Sequence, residues 1–182
     1  YKRQIGGSSN VKDFVRGYGF QGSAKRGPNK GNGSDQAYGP NFKKIIQTPG
    51  PWKINLGGFG EILPYHDNRM YLDYNKKDKW GLPTVTFDAE IKENEKLMRK
   101  HLLEQIAEML DSAGFKNIKT RDNGYYYGAG IHEMGTARMG LDKKTSILNK
   151  YNQIHSVKNV FVTDGSCMTS SSNVNPSLTY MA

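Results

Sequence analysis

His132 lies in an unusual run, Gly130-Ile131-His132-Glu133-Met134-Gly135-Thr136-Ala137-Arg138-Met139-Gly140. Glycines on both sides of it permit a bent backbone and a close approach by a ligand. Neutral imidazole in such a place is well suited to accept a proton near neutral pH. The same residue could serve structure alone, and its surroundings in sequence do not choose between the two. A zinc-protease reading fails, because the motif needs a second histidine four positions on and Thr136 stands there. His66 and His155 are too distant in sequence to support a metal site. Cys167, the sole cysteine, excludes an internal disulfide and argues against a cysteine-based metal site.

A second segment has clearer mechanics. Val160 to Thr163 reads as a short buried β-branched strand that ends in Asp164-Gly165, a turn where backbone can approach a ligand. Farther on, Pro176 suits the first position of a helix and Asn175 its N-cap. A helix starting there would aim free N–H groups and its positive dipole end outward, a natural place to stabilise an anion. The plainer alternative is that Asn175 only caps its helix.

These residues need a framework to position them. Asn94 to Ala113 carries Met98, Leu102, Ile106, Met109, Leu110 and Ala113 at three- and four-residue steps, which predicts an amphipathic helix. Asn94 is its expected N-cap and Gly114 its left-handed stop. His101, beside the apolar stripe, reads as structural or solvated. Met70–Tyr74 and Thr84–Asp88 alternate like strands, and Ile147-Leu148 is a further strand candidate. Gly57-Gly58-Phe59-Gly60 lacks the dinucleotide fingerprint and reads as a turn or bulge. The fold class expected is α+β, with a mainly antiparallel sheet and one long amphipathic helix.

The chain has 182 residues, 21 of them glycine, and a formal net charge of +9. Between Gly6 and Pro51 it is dense in Gly, Asn, Ser and Pro, which predicts long loops that bury little alone. The domain division expected is therefore a Gly/Lys-rich loop segment over 1–51 and a folded unit over 52–182. Basic residues crowd the first third, against only Asp13 and Asp35. A solvated face, or one meeting an acidic neighbour, accounts for this. Nucleic acid is the less favoured partner, and would use the Arg/Gly/aromatic stretch around Arg16 to Lys30 for phosphate contacts and stacking. No apolar run approaches the roughly 20 residues of a membrane span, and the compartment is not fixed by the sequence.

Taken together, the C-terminal segments resemble the signature of the glucose–methanol–choline (GMC) oxidoreductases. The resemblance is carried by the His-x-Met-Gly-Thr-x-x-Met-Gly core from His132 to Gly140 and by Ser146-Ile147-Leu148-Asn149. It continues through Val157 to Ser166 and ends at Asn175-Pro176-Ser177-Leu178-Thr179, roughly the last fifty residues in order and spacing. Weaker likeness to sugar- and polyol-oxidising bacterial members runs upstream through Leu63-Pro64, Asn68-Arg69-Met70, Leu72-Asp73 and Lys77-Asp78-Lys79-Trp80-Gly81.

The resemblance implies an FAD-dependent enzyme that oxidises the CH–OH group of an alcohol, a sugar or polyol. It implies an N-terminal Rossmann-type FAD domain beside a substrate domain with an antiparallel sheet. His132 matches the family's proton-accepting histidine, and Asn175 its second active-site residue, which orients the substrate oxygen. Asp164 and Gly165 match a turn along the FAD chain. Asn175 and Pro176 match the helix start facing the flavin pyrimidine edge, where negative charge gathers on reduction. The G-x-G-x-x-G fingerprint is missing, and the family's last helix runs on past the position of Ala182. The expectation is a C-terminal, substrate-side piece that does not hold FAD alone, whose missing partner is the FAD domain. The alternative is a basic nucleic-acid-binding or interaction module without catalysis, which has no use for the order and spacing of these motifs.

Overall fold

The computed structural model describes residues 13–28, 39–128 and 132–182. Gly130 and Ile131 of the histidine run, and much of the basic first third, lie outside the described residues.

The elements, in chain order, are β1 (Tyr18–Pro28), α1 (Pro40–Gln47), β2 (Pro49–Gly60), β3 (Arg69–Lys77), β4 (Pro83–Asp88), α2 (Glu93–Ser112), β5 (Gln153–Ile154), β6 (Val157–Phe161) and α3 (Ser177–Met181). The strands pair as three separate antiparallel ladders, β1–β2, β3–β4 and β5–β6. The chain is thus α+β with antiparallel pairing, but among the described residues the expected single sheet is three two-stranded pieces.

β1 and β2 run in register from Tyr18 opposite Gly60 to Arg26 opposite Trp52. This corrects two expectations. The Gly/Lys-rich segment contains a long strand, and the proposed division at residue 51 falls inside β2. The Gly57–Gly60 run is likewise strand and not a turn. Its glycines serve close packing: a Cβ on Gly58 would lie 2.3 Å from both methyls of Leu102, and one on Gly60 2.5 Å from the Met98 sulfur. Helix α2 can therefore lie directly on the ladder's backbone.

The core forms at that contact. Phe14, Tyr18 and Phe20 from the first segment bury against Met98, Leu102 and Ile106 of α2, flanked by Leu56, Leu97, Leu103, Met109 and Leu110. Tyr18 and Phe20 are thereby withdrawn from any stacking role on nucleic acid. His101 is a structural partner, its Nδ1 lying 2.6 Å from the Tyr18 hydroxyl.

The start of α2 also departs from expectation. Lys92 is the N-cap and Asn94 lies inside the first turn. The Asn94 side chain instead ties down the chain before β1, accepting from the Val15 N–H at 2.8 Å and donating to its carbonyl at 3.3 Å. Capping falls to Glu95, which is only 3% exposed. Its carboxylate accepts from the N–H of Lys92 at 3.2 Å and of Leu63 at 3.1 Å. The Tyr65 hydroxyl donates to the same carboxylate, 3.1–3.2 Å from its two oxygens. A glutamate at the third helical position reaching back to the cap is a capping box in its carboxylate half. Here it also fastens the loop after β2. At the other end Gly114, with φ of +82°, stops the helix as expected.

β3 and β4 form where the alternation predicts them, from Arg69 opposite Asp88 to Asp73 opposite Thr84. The tip is built on Asp78, whose carboxylate accepts from the N–H groups of Trp80 and Leu82, both at 2.9 Å. Large apolar side chains on this hairpin stand in the open, Trp80 being 73% and Phe87 70% exposed. In the Val160–Val162 run, expected to be buried, Val160 and Phe161 are exposed and Val162 is half-buried: β6 pairs only with the two-residue β5, so no layer covers it. Ile147-Leu148 is no strand. Leu148 makes isolated bridges to Met139 and Ile154 and is completely buried between them.

Leu102→Ala is expected to cost about 2–5 kcal/mol, as for buried leucines in general, measured by urea unfolding. The Glu95 network adds a pH signature. Burial, and next the Glu95 charge, push the Tyr65 phenol up to about 12. Its contribution to stability is then complete below about pH 10 and is lost as pH rises toward the folded value. Tyr65→Phe should cost about 1–3 kcal/mol near neutral pH by leaving the buried carboxylate short of a donor. The gap between the two proteins should narrow above about pH 10, and a gap constant to high pH would contradict the assignment.

Candidate functional site

From His132 to Gly140 the histidine run is a loop with a turn at Thr136–Ala137, held by its neighbours. The N–H of Ala137 donates to the Ser166 carbonyl at 3.0 Å, and that of Met139 to the Cys167 carbonyl at 2.9 Å. These two bonds lay the run alongside the segment that follows β6. A Cβ on Gly135 would meet the Thr169 carbonyl oxygen at 3.2 Å, so the two backbones are in close contact there as well. Beyond it, Gly140 packs on Ser146, whose hydroxyl donates to the Asp142 carbonyl at 2.7 Å. His155 Nε2 lies 3.1 Å from that hydroxyl and 3.2 Å from the Gly140 carbonyl. His155 thus braces the loop's exit.

Asp164 begins a single 3-10 turn, Gly165–Cys167. Its carboxylate accepts from both the hydroxyl and the N–H of Ser166. Those bonds, the hydroxyl first, hold its acid below the usual carboxylate range, so it is ionised at neutral pH and exposed to solvent. Gly165 is confined: a Cβ would come within 2.7 Å of the Tyr180 hydroxyl and 2.9 Å of the Met134 sulfur.

His132 and Asn175 are both exposed, and neither side chain makes a hydrogen bond among the described residues. Pro176 is buried and acts as the N-cap itself, its carbonyl accepting from the N–H of Thr179 at 2.9 Å. Asn175 is therefore one place before the cap and does not cap the helix. With five residues, α3 is too short for the dipole argument made from sequence.

The structure brings together the run after His132, the Asp164–Gly165 turn and α3, through Ala137, Met139, Met134 and Tyr180. Two participants were invisible in the sequence. Tyr180 has no motif spacing that marks it. Gly19 of β1 abuts the loop before Asn175: a Cβ there would lie 2.1 Å from Asn173 Nδ2. Only tertiary folding carries the glycine-rich first strand to this loop.

The family model for GMC oxidoreductases matches residues 64–182, taking in β3, α2, the His132 run, the Asp164 turn and α3. The 2-methyl-1,2-propanediol dehydrogenase of Mycolicibacterium austroafricanum is 31% identical over 98% of this chain and 33% of its own length. The 6'''-hydroxyparomomycin C oxidase of Streptomyces lividus is 31% identical over 65% of the chain and 21% of its own. The gluconate 2-dehydrogenase flavoprotein of Pantoea cypripedii is 26% identical over 92% of the chain and 30% of its own. The chain thus spans a third or less of these curated relatives. With the family pattern matched over most of the chain, and its segments drawn together in space, this protein belongs to the GMC oxidoreductases.

Proposed function

We propose that this chain is the substrate-side part of a longer FAD-dependent oxidoreductase that oxidises the CH–OH group of an alcohol, a sugar or polyol. The observation that carries the reading is the convergence of the His132 run, the Asp164 turn and the Asn175 segment. They are separated in sequence, and an enzyme that handles one hydroxyl group needs them in one place. Relatives named as a 2-methyl-1,2-propanediol dehydrogenase, a 6'''-hydroxyparomomycin C oxidase and a gluconate 2-dehydrogenase flavoprotein support the substrate class.

The oxidation removes a proton from the hydroxyl and a hydride from its carbon. His132, exposed and free of hydrogen-bond partners among the described residues, accepts the proton through imidazole nitrogen. Asn175, exposed in the neighbouring segment, donates its amide N–H to the same oxygen and orients it. Bound FAD supplies the hydride acceptor. The chain's residues fit a flavin on one count: Asp164 presents an ionised, solvent-facing carboxylate whose geometry Ser166 fixes, suited to the hydroxyls of a polyol chain. Gly165 and the Asn175-Pro176 backbone would lie along the same cofactor. The exposed apolar side chains of the β3–β4 hairpin and of α3, where Leu178 is 80% and Met181 83% exposed, suit a surface that the FAD domain covers.

Replacing His132 by Ala in the complete enzyme is expected to lower kcat on the order of 10²–10⁴-fold, with KM changed far less. Steady-state kinetics on an alcohol panel measure both, and an unchanged kcat would remove His132 from the mechanism. Residues 1–182 purified alone should be colourless and inactive, because the flavin must be held against the substrate from the other side. Stoichiometric flavin in the visible spectrum of that preparation would place the nucleotide site within this chain.

A further inference from the structure

The three segments of the site meet at one side chain that no step of the oxidation uses. The Tyr180 hydroxyl donates to the Met134 sulfur at 3.4 Å, two residues along from His132. The same end of the ring covers Gly165, where an added Cβ would lie 2.7 Å from the hydroxyl oxygen and 3.0 Å from Cζ. Tyr180 belongs to α3, and its own N–H returns to the Pro176 carbonyl at 3.3 Å, next to Asn175. A hydroxyl–sulfur bond is weak, because thioether sulfur is a poor acceptor. The ring, wedged between a methionine and a backbone that has no room for a Cβ, is therefore the stronger constraint. Burial pushes its phenol up, so the hydroxyl is neutral and a donor at working pH.

We infer that Tyr180 is a positioning residue: its ring, packed on Met134 and Gly165, sets the loop carrying His132 against the segment carrying Asn175. This rests on the proposed roles of His132 and Asn175. Among the described residues Tyr180 makes no hydrogen bond to either side chain, and it acts through the segments it packs against. If it shrinks, the loop and the helix can settle closer or slide, and a displacement of about 1 Å at a reacting group can cost as much as 10²-fold in rate.

The test uses the complete, flavin-loaded enzyme carrying Tyr180→Ala, Tyr180→Phe, His132→Ala, and Tyr180→Ala combined with His132→Ala. Tyr180→Ala is expected to lower kcat by about 10- to 100-fold with flavin absorbance retained. Tyr180→Phe, which keeps the ring, should hold kcat within about 5-fold, since it loses only a weak bond. Added to His132→Ala, the alanine at 180 should reduce the residual rate much less than it does alone, because residues acting as a unit are not additive. Wild-type kcat in Tyr180→Ala would overturn the inference, as would a loss that multiplies in full onto His132→Ala. Equal damage from Tyr180→Phe would also overturn it, by assigning the effect to the hydroxyl. Wild-type turnover in His132→Ala alone would remove the base assignment, and the inference with it; the single variants tell these failures apart. Should Tyr180→Ala not accumulate as folded protein, Tyr180→Leu decides by the same comparisons.

Discussion

Helix α2 occupies space that side chains on β2 would otherwise fill, and the rest of the folded chain depends on that contact. Leu102 and Met98 press onto Gly58 and Gly60 at distances no Cβ could share. Without the approach, Tyr18, Phe20 and Phe14 would have nothing to bury against, because the ladder's own side chains form no second layer. The constraint explains why a polar, glycine-rich stretch folds as strand at all. Pairing fixes the backbone, and the helix then supplies the apolar surface that the glycines do not.

Polar side chains extend this framework. Glu95 is buried at the mouth of α2 with four donors converging on it, the backbone N–H groups of Leu63 and Lys92, the Tyr65 phenol and the Asn94 amide. Removing one partner would strand a buried carboxylate, which is costlier than never having built the network. Asn94 fastens the chain before β1 to the same helix turn. The loop after β2 and the approach to β1 are thereby both tied to the start of α2. Gly19 of β1 packs against Asn173, in the loop preceding Asn175.

The C-terminal third is held differently. Leu148 and Cys167 are buried there, but most of the order comes from backbone bonds and short side-chain turns at Asp142, Asn149 and Asp164. Such an arrangement fixes loop shape in detail while leaving broad apolar surface in the open.

How much of this was legible in the sequence follows from the range of each interaction. The β3–β4 hairpin, α2 and its stop at Gly114 arise from local periodicity and from a single backbone angle, and they stand where the pattern puts them. The family signature was legible for a similar reason, since motif order and spacing belong to the chain itself. Other features depend on groups far away along the chain. Gly57–Gly60 reads as a turn until Leu102 is placed against it. Asn94 reads as a cap until Val15 arrives to claim its amide. Asn175 reads as a cap until buried Pro176 takes the position. The exposure of Val160 and Phe161 cannot be inferred from a β-branched run, because burial is a property of the neighbouring layer. The sequence by itself determined the β3–β4 hairpin, helix α2, the family and the candidate residues His132, Asp164, Gly165, Asn175 and Pro176. Which backbones touch, and that Tyr180 stands among them, was decided only in three dimensions, because close packing is a relation between residues that share no local pattern.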